Sequence, residues 1–338
     1  MKVLVTGGTG FVGSHTVAAL RRRGHAVRVL ARRPERVPGV LAPHGAPEVE
    51  VAPGDMTDAA AVARALDGCD AVVHTAAEIA VAGGKGPAGR ANVEGVRQVV
   101  GQAVALGLDP IVYTSSYAVH LPTDDPVITP QTPLAEPLSA YGRAKRECEE
   151  VVRSLGDRGA PVTTFVLGGV MGPQAPAVSD SFGAVVAALA SAMIVSDGGV
   201  ATIDVRDLAE VLAAAVEPGR GPRRYVAGGH FLSWQDWVAA LSSAVGRDVP
   251  SSRMPAQEMI ALGRQLDELR EHQGVDIPLS EEAAVIMTAG VPTDDSATLA
   301  DFGVTWRPAE ETLRDAVAWL VAEGHIPDEP TLRSSGAG

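Results

Sequence analysis

Two residues with acid–base side chains stand four positions apart in the segment YGRAK, Tyr141 and Lys145. On a helix, side chains at this spacing lie on one face. An ammonium group beside a phenol favours the phenolate, so it lowers the pKa of the tyrosine and lets it exchange a proton. Lysine occurs only three times and tyrosine four times in 338 residues, so a chance pairing is rare. The segment therefore predicts a proton-transfer site, against the alternative of an exposed helix pair.

A glycine-rich segment near the start, TGGTGFVG, has the spacing of a phosphate-binding loop. Gly7, Gly10 and Gly13 follow a short apolar run and precede a helical pattern. Glycines let the backbone turn tightly and approach a pyrophosphate, whose charge is met by free N–H groups at the start of the helix. The pattern alone is weak evidence, but its position after the first predicted strand indicates a dinucleotide site.

The end of the second predicted strand carries arginines. A site for NAD usually has an acidic residue there, bonded to the ribose 2′-hydroxyl, but this strand ends in Arg32 and Arg33. Guanidinium groups bind a 2′-phosphate through charge-assisted hydrogen bonds, so we expect NADP, with NAD as the alternative. A generic basic surface is the competing explanation.

Asp55, after the third strand, either bonds the adenine amino group or caps the following helix.

Two further polar positions follow predicted elements. Ser115 and Ser116 come after the fifth strand, at the carboxyl edge where ligands of open α/β sheets bind. A hydroxyl there can bond a substrate oxygen, although serine also commonly begins a turn. Asn92 is the one asparagine and lies at the start of a predicted helix over 91–106, where it either supports the site or caps that helix.

The elements that must position these residues alternate along the chain. Near-continuous apolar strands alternate with helical patterns, which predicts a doubly wound parallel α/β sheet of the Rossmann type. After Gly172-Pro173 the pattern becomes mostly helical and indicates a smaller substrate-binding domain. We expect the Rossmann domain to comprise 1–167 plus 200–227, with the latter segment returning to the main sheet. The substrate domain comprises 168–199 plus 228–326, and 327–338 form a flexible tail.

Composition and sequence patterns argue against several classes of protein. The formal net charge of −13 argues against broad nucleic-acid binding, because counterion release needs clustered positive charge. No apolar stretch approaches the ~20 residues of a membrane span, and no secretory leader pattern is present. Cys69 and Cys148 lie far apart without metal or redox spacing, so no metal is expected. We predict a cytoplasmic protein with a small-molecule substrate.

Taken in order, the motifs resemble those of extended short-chain dehydrogenases/reductases, the NAD-dependent epimerase/dehydratase superfamily. They are TGGTGFVG, DMTD, HTAA, NVEG, TSS, YGRAK, GP and DVRDLAE, and the resemblance covers about residues 1–230. It implies that Tyr141 is the acid/base, that Ser116 positions the reacting oxygen and that Lys145 binds the nicotinamide ribose and lowers the pKa of Tyr141. Asn92 supports a proton relay. Ser116 is preferred to Ser115 because it lies four residues before His120, where relatives often have tyrosine.

The resemblance also implies cofactor contacts and an assembly. The helices at 91–106 and 139–155 correspond to those that pair two subunits in many relatives, so a homodimer is expected. The expected cofactor contacts are Gly7, Gly10, Phe11, Val12, Gly13, Arg32, Arg33, Asp55, Met56, Thr75, Ala76, Ala77, Tyr141 and Lys145.

Departures from the family pattern narrow the choice among the reactions that the family catalyses. Sugar dehydratases carry an Asp-Glu pair where this chain has Tyr117-Ala118, and epimerases carry an Arg and an Asn that are absent from LGGVMGP. The chain looks most like the dihydroflavonol-4-reductase-like and 3β-hydroxysteroid-dehydrogenase-like branch, which handles apolar carbonyl or alcohol substrates. We therefore expect a reversible NADPH-dependent carbonyl reductase. The alternatives are a nucleotide-sugar epimerase with tightly bound NAD and a non-catalytic cofactor sensor of the NmrA type.

Several large apolar residues of the second half are candidates for the walls of the substrate pocket, with burial in the core as the alternative. They are Met171, Phe182, Met193, Phe231, Trp234, Met254 and Met259.

Overall fold

The computed structural model describes residues 1–78, 88–138, 140–178, 180–273 and 279–327. The described strands are β1 (Lys2–Thr6), β2 (Ala26–Ala31), β3 (Glu50–Pro53), β4 (Ala71–His74), β5 (Ile111–Ser116), β6 (Val162–Leu167), β7 (Gly169–Met171), β8 (Met193–Val195), β9 (Gly199–Asp204), β10 (Arg223–Ala227), β11 (His230–Ser233) and β12 (Ser251–Arg253).

The described α-helices are α1 (Phe11–Arg22), α2 (Val37–Leu41), α3 (Ala59–Leu66), α4 (Ala88–Ala105), α5 (Ala140–Asp157), α6 (Asp180–Ala190), α7 (Val205–Ala214), α8 (Trp234–Val245), α9 (Ala256–Gln273), α10 (Glu281–Ala289), α11 (Ser296–Phe302) and α12 (Ala309–Ala322). Short 3₁₀ turns lie at Pro34–Arg36, Ala42–His44 and Tyr117–His120.

The main sheet has seven strands in the order β10-β6-β5-β4-β1-β2-β3, and its strand pairs are parallel. Both faces are covered, because α1 and α7 pack on one face while α3, α4 and α5 pack on the other. Val3, Leu4 and Val5 in β1 are fully buried, as expected for a strand covered on both sides. The predicted doubly wound Rossmann-type fold is confirmed.

Part of the return segment 200–227 does not join the main sheet. β10 pairs with β6 there, as expected, but β9 pairs with β7 and β11 in a separate three-stranded sheet. The prediction was wrong for β9 because a short buried apolar strand has the same pattern in either sheet. The division of the chain into two domains stays a prediction, and residues 328–338 of the expected tail lie outside the described part.

The remaining elements form a separate apolar cluster beside the main sheet. Phe182, Leu241 and Leu313 are fully buried in it, and helices α6, α8 and α12 supply most of its members. Phe11 at the start of α1 stacks edge-on against Phe182, with ring centroids 5.2 Å apart. This contact joins the first helix of the Rossmann sheet to the helical part of the chain.

Helices α4 and α5 pack side by side through buried residues that include Val96, Val100 and Cys148. The expected homodimer through these helices stays a prediction. Among the described residues, no helix combines the length and apolar character needed to cross a bilayer.

Candidate active site

The glycine-rich loop is shaped by close backbone approaches. Gly7 has a φ of +75°, and its carbonyl accepts a hydrogen bond of 2.8 Å from the Gly10 N–H. A Cβ on Gly7 would lie 2.7 Å from the Ala76 nitrogen, and a Cβ on Gly13 would overlap the Gly7 carbonyl oxygen. Both positions therefore require glycine. The loop leaves no room for side chains between β1, α1 and the segment after β4.

Helix α1 begins at this loop without a side-chain cap. Gly10 is its N-cap residue, and no acidic side chain lies in its first turn. The N–H groups of Phe11, Val12 and Gly13 have no partner within the helix by virtue of helix geometry. Together with the positive end of the helix dipole they suit a pyrophosphate, so the loop fits a dinucleotide.

The segment after β4 closes over the loop. Thr75 donates a hydrogen bond of 2.8 Å from its hydroxyl to the Thr6 carbonyl, which ties the end of β4 to the end of β1. Thr75 and Ala76 thus lie directly against Gly7 and Gly13. Thr75, Ala76 and Ala77 follow the end of β4, and their predicted contact with the cofactor stays a prediction.

Asn92 does not cap a helix, contrary to one of its two interpretations. Helix α4 begins at Ala88, so Asn92 lies in its second turn. Its Oδ1 accepts a hydrogen bond of 2.7 Å from the Glu78 N–H, and its Nδ2 donates one of 2.9 Å to the Glu78 carbonyl. The side chain is buried, with 4% exposure. Asn92 therefore anchors the chain immediately after Thr75–Ala77.

Asp55 does not cap helix α3, because Asp58 accepts hydrogen bonds from the Ala60 and Ala61 N–H groups and performs that role. The Oδ1 atom of Asp55 accepts from the N–H and the hydroxyl of Thr57. Its Oδ2 lies 3.9 Å from the Arg32 Nε. Met56, the next residue, packs against α4 at the space left by Gly95.

The two arginines after β2 differ in their contacts. Arg32 donates a hydrogen bond of 3.1 Å to the Glu78 carboxylate, although its side chain is largely exposed. Arg33 is exposed and has no carboxylate partner within the described residues. Arg32 is thus engaged with an acidic neighbour, whereas Arg33 is available to an added anion. A sequence pattern does not separate these two environments.

Strand β5 extends through Ser116, so both candidate serines belong to its end. Adjacent strand residues point to opposite faces, and Ser115 is buried with 7% exposure. Ser116 lines a small cavity of about 70 Å³ that Lys145 also lines. The Ser116 Oγ accepts a hydrogen bond of 3.3 Å from the Ala118 N–H. Of the two serines, Ser116 therefore shares a cavity with Lys145, which matches the preference drawn from the motif.

Lys145 lines the same cavity as Ser116 and lies close to several polar side chains. Burial lowers the pKa of Lys145, and the nearby Cys148 and Glu149 act in the opposite direction. His74 in β4 lies close to it, and burial together with the Lys145 charge lowers the pKa of His74 to about 3. The His74 Nδ1 is 2.6 Å from the Thr6 hydroxyl. At neutral pH this histidine is therefore uncharged.

Tyr141 lies in the first turn of α5, one turn before Lys145, and its side chain lies outside the described residues. The other tyrosines are buried in the core: Tyr113, Tyr117 and Tyr225 have 4%, 7% and 2% exposure. Burial raises the pKa of Tyr117 to about 12, so this neighbour of Ser116 is a poor proton donor or acceptor at neutral pH. The chain therefore offers Tyr141 as the tyrosine beside Lys145.

The walls of the Ser116–Lys145 cavity come from distant segments. Beyond Ser116 and Lys145 the lining residues are Ala118, Val119, Leu121, Ala135, Pro137, Gly142, Arg146, Glu282 and Ile286. None of the seven wall candidates named from the sequence is among them. Met171, Phe182 and Met259 are instead buried core residues. Glu282 and Ile286 lie on α10, more than 130 positions after Lys145, and no local pattern marked them.

In the described part of the chain, no group of three or more His, Cys, Asp or Glu side chains is arranged to hold a metal ion. Cys148 is buried, Cys69 is half-buried, and burial raises the pKa of both thiols.

The Rossmann sheet, the glycine loop and the Ser–Lys cavity define an oxidoreductase of the extended short-chain dehydrogenase/reductase type. The model of the NAD dependent epimerase/dehydratase family matches residues 3–228, and the chain belongs to that family. The family expected from the motifs is confirmed.

Known proteins similar to this chain carry several activities. A 3 beta-hydroxysteroid dehydrogenase/Delta 5→4-isomerase of Mycobacterium tuberculosis is 41% identical over 125 residues, which are 35% of this chain and only 32% of that relative. A 2-alkyl-3-oxoalkanoate reductase of Stenotrophomonas maltophilia is 31% identical over 73% of this chain and 76% of its own length. The crystal structure of UDP-glucose 4-epimerase from Bifidobacterium longum, in complex with NAD⁺ and UDP, has a TM-score of 0.74 over 96% of this chain and 99% of that one. At 18% identity it shows the fold alone.

Proposed function

We propose that this chain catalyses reversible hydride transfer between NADP(H) and a carbonyl or alcohol carbon of a small, largely apolar substrate, with Tyr141 as acid/base. One observation carries the proposal. Ser116 and Lys145 line one cavity whose other walls are mostly apolar, and Tyr141 lies one helical turn from Lys145. The nicotinamide cofactor, when bound, supplies or accepts the hydride.

Each residue has a distinct task in this proposal. The Ser116 hydroxyl bonds the reacting oxygen of the substrate, and the Tyr141 hydroxyl donates the proton to that oxygen in reduction or removes it in oxidation. The Lys145 ammonium favours the Tyr141 phenolate and bonds the nicotinamide ribose. Val119, Leu121 and Ile286 keep water from the reacting carbon.

In this proposal the cofactor binds at the carboxyl ends of strands β1 to β4. The N–H groups at the start of α1 hold the pyrophosphate, with Phe11, Val12 and Thr75–Ala77 beside it. Arg33, helped by Arg32, binds the 2′-phosphate and so selects NADP, while Asp55 and Met56 contact the adenine. Asn92 contributes to the site by fixing the backbone of Glu78, which supports a positioning role in the relay.

Two relatives support the choice of a carbonyl or alcohol substrate. Both the hydroxysteroid dehydrogenase and the 3-oxoalkanoate reductase are named for an oxygen function that is oxidised or reduced. Ala118 lines the cavity directly after Ser116 and the buried Tyr117, so these positions offer no second carboxylic acid for water elimination.

The test is NADPH oxidation with a panel of ketones and aldehydes, followed by Tyr141→Phe. We expect the turnover number to fall about 1,000-fold, because a positioned acid/base contributes about 10² to 10⁴ in rate. The dissociation constant for NADPH stays within a few-fold. Tyr117→Phe is the matched control, since it removes a hydroxyl next to Ser116 from a buried ring and leaves turnover almost unchanged.

Other outcomes distinguish the alternatives. Full turnover by Tyr141→Phe would remove the acid/base role. Tightly held NAD together with turnover of UDP- or GDP-sugars would favour an epimerase instead. Binding of NADPH without oxidation by any carbonyl compound would favour a cofactor sensor.

A further inference from the structure

An ion pair joins the ends of two strands that are not neighbours in the main sheet. Strand β1 lies between β4 and β2, and the glycine-rich loop follows β1. Glu78 is four residues beyond the end of β4, and its carboxylate accepts a hydrogen bond of 3.1 Å from Arg32, the first residue after β2. The pair therefore spans the carboxyl end of β1, where the proposed function places the cofactor.

The backbone of Glu78 is held in place by contacts on both of its sides. The buried Asn92 side chain accepts a hydrogen bond from the Glu78 N–H and donates one to the Glu78 carbonyl. Ala76, two residues before Glu78, lies against Gly7 in the glycine-rich loop. Because the backbone is fixed in this way, the reach of the Glu78 carboxylate is limited to the surroundings of Arg32.

The charged groups at the end of β2 balance one another. The Arg32 Nε lies 3.9 Å from the Asp55 carboxylate, so this guanidinium stands between the carboxylates of Asp55 and Glu78. Together with Arg33 the set holds two positive and two negative charges. A 2′-phosphate placed here is attracted by Arg33, is repelled by Glu78 and meets an Arg32 that is already paired.

A carboxylate at this edge has a second consequence for cofactor choice. Sites for NAD usually carry an acidic residue at the end of the second strand, where it accepts a hydrogen bond from the ribose 2′-hydroxyl. Strand β2 ends without one, but the fold brings the Glu78 carboxylate from the end of β4 to within hydrogen-bonding distance of Arg32. The acid that is missing from β2 is thus supplied by another strand.

We infer that Glu78 is a specificity-determining residue for the cofactor. It accepts a hydrogen bond from the ribose 2′-hydroxyl of NAD⁺, and it limits the preference for NADP⁺ by competing with the 2′-phosphate for Arg32. This role rests on the proposed cofactor site. Both cofactors therefore bind the wild-type protein, with NADP⁺ bound more tightly through Arg33.

Calorimetry of Glu78→Gln with each oxidised cofactor, in the absence of substrate, tests the inference. Glutamine keeps the length of the side chain and leaves the two Asn92 bonds to the backbone intact. We expect the dissociation constant for NADP⁺ to fall about fivefold, the upper range for release of an exposed ion pair. The constant for NAD⁺ should rise about fivefold, because a neutral amide is a weaker acceptor than a carboxylate.

Two further proteins separate competition from a general effect of charge. Glu35→Gln removes the same charge from an exposed position three residues after Arg32, and it should shift the ratio of the two constants less than twofold. In an Arg32→Gln background, Glu78→Gln should improve NADP⁺ binding less than about twofold, because no guanidinium remains to be released.

The outcomes also separate this role from the proposed reaction. A ratio that Glu78→Gln leaves unchanged, or that Glu35→Gln shifts equally, overturns the role of Glu78. Equal loss of affinity for both cofactors would assign Glu78 to loop structure alone and overturns it as well. Since no substrate is needed, failure of carbonyl reduction leaves the binding result intact, whereas a protein that binds neither cofactor overturns the inference and the cofactor site together.

Discussion

The glycine-rich loop and the Ser116–Lys145 cavity are built in opposite ways. The loop is one contiguous segment, Gly7 to Gly13, whose proposed function depends on backbone N–H groups and on missing side chains. The cavity gathers side chains from the end of β5, the loop at 135–137, α5 and α10. Chemistry carried by the backbone leaves a fixed spacing in the sequence, whereas a cavity assembled from distant segments leaves none.

The same contrast predicts different tolerances to substitution. One added methyl group is incompatible with the loop wherever a Cβ would meet backbone atoms, because backbone cannot move without disturbing β1 and β4. In the cavity an apolar side chain contributes contact area, and its neighbours adjust to a change in volume. Substitutions in the loop and in the cavity test this contrast.

The largest effect is expected for Gly13→Ala. The added Cβ would overlap the Gly7 carbonyl oxygen and lie 2.9 Å from the Thr75 Oγ1. The loop must shift away from the start of α1, which separates the pyrophosphate from its N–H donors. We expect the dissociation constant for NADP⁺, measured by calorimetry, to rise about 1,000-fold, the loss of several charge-assisted hydrogen bonds.

Gly101→Ala is the control for that substitution. Gly101 lies within α4, and an added Cβ there meets no atom within 4 Å. Alanine should preserve cofactor binding and raise the free energy of unfolding by about 0.5–1 kcal/mol, because it restricts the unfolded chain. Unchanged cofactor binding by Gly13→Ala would contradict the geometry of the loop.

The sequence predicted the fold and the position of a glycine-rich loop for the same physical reason. Strands buried on both faces, such as β1 and β6, need continuous apolar runs, and a phosphate loop needs glycines at set intervals. Tyr141 and Lys145 were predicted as site residues because one helical turn has a fixed spacing and both residue types are rare in this chain. Local geometry was the signal in each case.

Other residues could not be assigned in this way. The partner of Asn92 is the backbone of Glu78, fourteen positions earlier, and that contact exists only after α4 packs on the sheet. Glu282 and Ile286 reach the cavity because α10 folds back onto α5. Phe182 and Met171 have the composition of wall residues, but tertiary packing places them in the core. The apolar character of a residue does not show whether its side chain lines the cavity or lies in the core.

Substitution of the arginines after β2 is expected to have a smaller effect on cofactor binding. Arg33 is exposed, while Arg32 already bonds Glu78. If Arg33 binds the 2′-phosphate, Arg33→Gln should raise the dissociation constant for NADP⁺ about 30-fold, near the value of one charge-assisted hydrogen bond, and leave that for NAD⁺ unchanged. Thermal-shift titration with both cofactors measures the difference.

Arg32→Gln should have a smaller effect on NADP⁺ binding, since part of the Arg32 charge is compensated by Glu78. Arg21→Gln in the last turn of α1 serves as a charge-matched control and should alter neither cofactor's binding. Equal stabilisation of the wild-type protein by NAD⁺ and NADP⁺ would remove the proposed preference.

The smallest effect is expected in the cavity, at Ile286→Ala. Removing three carbon groups from a half-buried side chain costs about 1–1.5 kcal/mol of apolar contact, or about tenfold in kcat/KM for an apolar ketone. NADPH binding should change less than twofold, because Ile286 lines the cavity proposed for the substrate. Ile194→Ala, at an exposed position on β8, is the control. A loss of NADPH binding comparable to the loss in kcat/KM would mean that α10 also supports the cofactor, and the two regions would then be one unit.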